Sequence, residues 1–234
     1  MRSIIDFVES VLAGLLILVL LILNPLLRHW TNRWGARDSE VRATLPGDER
    51  TPNARLAYTR AISIRAAPAQ VWPWLIQIGQ EKGGLYSYEM LENLIGCKMR
   101  NADRIVAEWQ HIAPGDAVRL GPPGYPLFRV VDLQSEHWLL MAGADPQTGE
   151  MGVVKSEPEV PYIVNNWLLY LSPQPDGTTR LITRSRMDYR PANFANAFMW
   201  RGLMEPMNFV MEQKMLHGIK ARVEAQLSPA VARA

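Results

Sequence analysis

Cysteine is almost absent: 234 residues contain one, Cys97. A single thiol cannot close an internal disulfide, and the Cys-rich sets that hold structural zinc are excluded with it. A disulfide-free domain suits a reducing compartment. An excess of charge is missing too. The chain carries 25 Lys and Arg against 23 Asp and Glu, a formal +2. A nucleic-acid partner needs a concentrated basic surface, so none is expected. The four histidines, His29, His111, His137 and His217, fall in no ligand spacing, and neither a metal nor another cofactor is expected. There is no G-x-S-x-G, no phosphate-cradling glycine loop and no dinucleotide fingerprint. Internal repeats and low-complexity tracts are lacking as well. What remains is a chain of ordinary composition, 48% hydrophobic and 21% charged, long enough for one domain and an appendage.

The appendage comes first. Between Val11 and Leu23, eleven of thirteen residues are Leu, Ile or Val. On insertion scales they favour the bilayer by roughly 3 to 6 kcal/mol. Charge-free sequence continues through Leu27, about 25 Å of helix. Trp30 and Trp34 follow, where aromatic side chains favour the membrane interface. A cleaved signal peptide would show small residues at a cut site; Arg28-His29-Trp30 stands there instead. A buried core helix would not be apolar all round. Residues 1–34 are therefore expected to be a transmembrane anchor with its interfacial flank, and the lipid bilayer is a partner. Arg28, Arg33, Arg37 and Arg42 follow the segment, whereas Arg2 precedes it together with Asp6 and Glu9. The positive-inside rule then predicts a single-pass protein of the cell (inner) membrane with its C-terminal domain in the cytoplasm.

Residues 35–54 are polar and hold Pro46-Gly47 and Pro52, which predicts a tether lying on or near the domain. The domain, 55–234, opens on a strand in which Leu56, Tyr58, Arg60, Ile62 and Ile64 share one face. Pro68 suits a first helical turn, and Pro73 should shorten or kink that helix. A second short helix, Ser87 to Ile95, has Ser87 as its expected cap and Gly96 as its stop. Short β-rich runs follow at Ala117–Leu120, Leu127–Leu133, Trp138–Ala142, Trp167–Ser172 and Thr179–Met187, the last two joined at Asp176-Gly177. Gly143 to Pro161 reads as a loop or flap. From Ala192 to Leu227 the pattern is helical, split near Pro206. Met204, Met207, Met211 and Met215 lie on an apolar stripe, with Glu212, Lys214, Lys220 and Arg222 expected opposite. An antiparallel sheet gripping a long helix satisfies both elements, and the fold class is α+β, a helix-grip fold behind one transmembrane helix.

Several segments carry a resemblance. Ile62 to Pro68 followed by VWPWLIQIGQ (Val71–Gln80) resembles the opening of the START/pollen-allergen-like helix-grip superfamily, also called SRPBCC or polyketide cyclase/dehydrase-like. Gly83–Gly96, Asn101–Ile105, Glu108–Gln110 and Glu205–Arg222 resemble a bacterial, membrane-anchored subgroup of it. The resemblance implies a hydrophobic cavity between sheet and C-terminal helix, holding a lipid or other apolar molecule. It implies no particular reaction. The expected function is a membrane-anchored binding protein for such a ligand. The alternatives are a cyclase/aromatase-type enzyme using the same cavity, or an assembly protein of a membrane complex.

Candidate ligand contacts follow. Tyr86, Tyr88, Glu89, Asn93, Asn101, Asp103, Arg104 and Glu108 form the densest polar set among apolar residues; they either brace a loop or fix the polar end of a ligand. Trp167, Met207 and Met211 are candidate wall residues, methionine suiting a wall that adapts. Arg184 shares a strand face with Arg180, Ile182 and Arg186. Turned inward it would bind a carboxylate; otherwise it faces solvent while Leu181 and Met187 point to the core. No catalytic residue is assigned. Cys97 is expected to be a buried thiol.

Overall fold

The structure is a computed structural model that describes residues 2–157 and 159–228, with side chains from residue 4 onward. The Arg2 side chain of the flanking-charge argument, position 158 of the expected flap and residues 229–234 lie outside the described residues.

Helix α1 (Arg2–Thr31) is the apolar segment. The short helix α2 (Asp38–Arg42) follows, then strand β1 (Leu56–Ile64) and helices α3 (Pro68–Ile76) and α4 (Glu89–Leu94). Strands β2 (Ala117–Arg119), β3 (Leu127–Gln134), β4 (Trp138–Ala144), β5 (Tyr162–Pro173) and β6 (Thr179–Arg190) come next. Helix α5 (Phe194–Ala197), a π-helical stretch (Phe198–Met204) and α6 (Glu205–Gln226) close the chain. Pro206 stands two residues after the π-helical stretch, so the expected split is a change from π to α geometry within a chain that stays helical through it. Pro73 sits inside α3. Ser87 does not cap α4; Tyr88 holds that position, and the Ser87 hydroxyl donates to the Met211 carbonyl on α6 at 2.8 Å.

The six strands form one antiparallel sheet in the order β1-β6-β5-β4-β3-β2. First and last strands are thus neighbours, and the sheet is a meander closed back onto β1. β5 starts at Tyr162, five residues before the expected Trp167, because Tyr162 to Asn166 pair with the far end of β6. Gly143 and Ala144 extend β4, and an isolated bridge from Ala144 to Met151 folds part of the expected flap back on the sheet.

One sheet face packs on α6. Ile64, Leu139, Leu169 and Leu181 meet Leu216, Ile219 and Val223 in the main core. Burying each such side chain contributes roughly 1.5–3 kcal/mol. Gly218 permits the close approach of α6 to the segment before α4: a Cβ there would stand 2.3 Å from the Tyr86 carbonyl oxygen.

The other face is covered by residues 35–50. Leu45 packs with Ala61, Leu140, Leu168 and Ile182. Arg180 donates to both Glu40 carboxylate oxygens at 2.7 and 2.8 Å, and Arg184 to Asp48 at 2.6 Å. The tether is therefore a strap. Arg184 takes neither orientation expected for it. It is buried on the outer face beneath the strap, where it also donates to the carbonyls of Glu40, Val41 and Ala43. Leu181 and Met187 do point to the core side.

Candidate ligand cavity

Between the inner sheet face and α6 lies a cavity of about 960 Å³. The sheet supplies Phe128, Trp167, Ser185 and Met187; the helical side supplies Met204, Met207, Met211 and Met215. All four methionines of the stripe line the space. An unbranched thioether fills irregular gaps and re-packs readily, which suits a wall facing variable contents. Leu85, Glu92, Ile95 and Cys97, from around α4, form a further wall.

A buried polar network stands on the α6 side. Arg60 has no exposed surface and Glu212 is 4% exposed. Arg60 Nη1 donates to Glu212 Oε2 at 2.6 Å and to Asn208 Oδ1 at 2.8 Å, while its Nε donates to the Thr31 carbonyl at 2.8 Å. Glu212 Oε1 accepts from Thr183 at 2.9 Å and from Tyr58 at 3.3 Å. Trp167 Nε1 donates to Thr183 at 3.0 Å. Tyr58, Trp167, Asn208 and Glu212 also line the cavity, so the network presents polar atoms to it. Burial, and then the Glu212 charge, push the Tyr58 phenol well above its ordinary range, keeping it a neutral donor. The sequence did carry a signal for this set. Arg60 is the one charged side chain on the apolar face of β1, and an inward arginine requires an inward carboxylate. Glu212 was expected on the polar side of α6 and is instead turned to the sheet.

The α4 side holds a different kind of group. Glu92 is 4% exposed, lines the cavity, and neither carboxyl oxygen has a hydrogen-bond partner among the described residues. Burial, and then the neighbouring Glu89 charge, raise its pKa to about 7. The Cys97 thiol beside it is likewise pushed up, by burial and then by Glu92.

Of the residues singled out from sequence, Trp167, Met207 and Met211 are on the cavity wall. The polar set around α4 is not. Tyr86 is buried and donates to the Trp74 carbonyl at 3.0 Å. Tyr88 faces Lys214 beside α1. Asn93 clamps the Met99 backbone, and Asn101 bonds to Tyr86 N and the Ser87 carbonyl. Glu89 accepts from Asn101 N at 2.5 Å. Asp103 pairs with Arg222 at 3.5 Å, Arg104 lends its carbonyl to Gln77, and Glu108 is exposed. Glu89, Asn93 and Asn101 brace the chain around α4 and the segment after it, whereas Arg104 and Glu108 have exposed side chains. A second hollow, of about 510 Å³, lies outside the sheet among Arg28, Arg33, Arg184 and Arg186. Arg28, Arg33 and Arg184 are each bound to a carboxylate, Glu205, Asp38 and Asp48 respectively.

No family model matches the chain, and no curated protein matches it. Solved structures do resemble it. A conserved protein from Geobacillus kaustophilus is similar with a TM-score of 0.40 at 14% identity, over 73% of this chain and 97% of that one. Ara h 8.0201 is similar at 0.38 and 10%, over 73% and 98%. The Zhui aromatase/cyclase from Streptomyces sp. R1128 is similar at 0.32 and 14%, over 75% and 97%. At these values the likeness is one of fold and carries no argument about ligand or activity.

Proposed function

Starting from a helix-grip fold with a hollow under its long helix, we propose that this chain captures an apolar small molecule or lipid in the cavity, next to a membrane. The observation that carries this is the cavity itself: about 960 Å³, within the range of ligand sites, mostly apolar, with convergent polar groups on two walls. Trp167, Met207 and Met211 would contact the apolar body of the ligand.

The membrane part rests on α1. Ile4–Thr31 is the one helix among the described residues long and apolar enough to cross a bilayer. Ala13 and Leu20 pack on Phe209 and Val210 of α6, while Leu15, Leu18, Ile22 and Leu26 are exposed. Both α4 and the π-helical stretch touch α1, and near it Leu94, Ile95 and Phe198 are exposed. Ile95 also lines the cavity. Flanking arginines argue for a single pass with the domain in the cytoplasm. The contacts that hold both ends of α1 against α6 argue instead for α1 lying along the domain, since a helix crossing the bilayer could not keep both of its ends against one domain.

Native mass spectrometry of the full chain, purified from its source membrane in lipid nanodiscs, tests ligand capture. An apolar molecule should be retained by the wild type and lost from a Met211→Trp variant that fills the cavity. A wild type without any retained molecule would count against the proposal. Vesicle flotation tests the membrane part: the wild type should float, and a Leu18→Glu, Ile22→Glu variant should not.

A catalytic reading draws on Glu92 alone, a carboxyl whose pKa near neutrality suits acid–base work. Among the described residues no second acid or base is hydrogen-bonded to it.

A further inference from the structure

Resting on the ligand-capture reading, we propose that Glu92 selects the ligand's head group, and that the cavity takes apolar molecules bearing a protonated amine. The starting point is an imbalance. A buried carboxyl normally sits beside a donor or a cation, because an unpaired one loses its hydration without compensation. Arg60 shows the protein doing this for Glu212, and Arg28 for Glu205. Glu92 alone among the cavity's buried carboxyls is left without a partner.

The rest of the lining agrees in sign. Its carboxylates are Glu92, Asp145, Glu150, Glu205 and Glu212, whereas its one formal cation is Arg190. Arg190 is already engaged, donating to the Lys155 and Glu157 carbonyls and lying over the Tyr162 ring. With Glu205 and Glu212 matched by Arg28 and Arg60, a ligand carboxylate or phosphate entering this space would meet Glu92, Asp145 and Glu150 against the engaged Arg190, and Glu92 could only repel it once ionised. Both Glu92 oxygens are closed to solvent as they stand; once the side chain turns to meet it, an ammonium would give Glu92 the partner that burial withholds, in surroundings where a charge-assisted hydrogen bond is stronger than in water. Leu85, Ile95, Leu120 and Tyr125 line the same cavity and would cover the carbon skeleton.

The experiment compares octylamine, octanol and octanoate on the full chain in phosphatidylcholine nanodiscs, with empty discs as reference and tryptophan fluorescence as readout; Trp167 and Trp200 both line the cavity. The wild type should bind octylamine at least about tenfold more tightly than octanol, and octanoate most weakly. Glu92→Gln, nearly isosteric, should bring the amine-to-alcohol ratio to about one, with octanol affinity changed less than about twofold. Three equal affinities, unmoved by Glu92→Gln, would overturn the assignment of Glu92 and leave the cavity standing as a site. A preference for octanoate would overturn it as well. If none of the three binds the wild type, the ligand-capture reading falls, and the Glu92 assignment with it.

Discussion

Arg60 Nη1 lies 2.6 Å from Glu212 Oε2, and both side chains are shut away from solvent. The pair joins the first strand of the domain to its last helix across the wall of the cavity. Arg60 also reaches the Thr31 carbonyl at the end of α1, so one guanidinium ties α1, sheet and α6 together. Two charges out of water are costly; their mutual attraction, the bond Arg60 donates to Asn208 and the bonds Glu212 accepts from Thr183 and Tyr58 offset that cost.

Removing one partner leaves the other charge buried and alone. Glu212→Leu should destabilise the domain by about 3–5 kcal/mol, and Arg60→Met by a similar amount. The double variant should recover much of the loss, since two apolar side chains leave no bare charge. Chemical denaturation of the four forms gives the coupling energy. Additive losses would show that the pair acts as two independent bracing groups.

The strap makes a separate prediction. Arg180 and Arg184, both buried, hold Glu40 and Asp48 against the outer sheet face. Arg184→Met keeps bulk but removes the donors to Asp48 and to three strap carbonyls. Hydrogen exchange should then rise sharply over residues 38–50 while β5 and β6 stay protected. Equal exchange in both forms would mean that Leu45 and its apolar neighbours hold the strap unaided.

Period-two and period-3.6 patterns made the elements legible. Ile62 and Ile64 on one face of β1, and Met215, Leu216, Ile219 and Val223 at helical spacing on α6, name the two surfaces that meet. The pairing of β1 with β6 was hidden, because partners more than a hundred residues apart leave no local sign. Nor could composition show that the segment after α1 is a strap. Its charges look like those of a solvated linker, and only the register of β6 brings Arg180 and Arg184 beneath Glu40 and Asp48. The site was half legible. Wall residues such as Trp167, Met207 and Met211 announce themselves as apolar side chains on inward faces. Glu92 does not, since it stands one turn after Glu89 on a short helix and only the packing decides which carboxylate is buried.

Burial of Glu92 fixes the sign of a pH effect. Its folded pKa, about 7, lies above the ordinary carboxylate value of 4.5, so the folded state holds the proton more tightly. Stability is then greatest below about pH 4.5 as far as this group is concerned, and falls as pH rises through about 7. The shift corresponds to a loss on the order of 3 kcal/mol. Glu92→Gln should flatten this part of the profile and stabilise the domain at pH 8. Parallel profiles for the two forms between pH 5 and 8 would show that Glu92 is solvated.

The position of α1 can be read from two residues at its start and along α6. Glu9 accepts from Lys214 at 2.5 Å, and Arg28, at the other end of α1, pairs with Glu205 at 2.9 Å. Glu9 and Arg28 are about 28 Å apart along a helix, close to the full thickness of a hydrocarbon core of about 30 Å. A domain on one side of the bilayer could therefore hold Arg28 but not Glu9 if α1 crossed it. In a Cys97→Ser background, Glu9→Cys and Lys214→Cys should be joined by a short bis-maleimide in sealed membrane vesicles, as a mass shift on a denaturing gel. With α1 lying along the domain that product forms in high yield, and its formation depends on both new cysteines. Its absence from vesicles, with efficient formation in detergent, would mean that the bilayer draws α1 away from α6 and through the membrane. The flanking arginines would then decide the orientation, and the apolar side of the domain would reach lipid only at its edge.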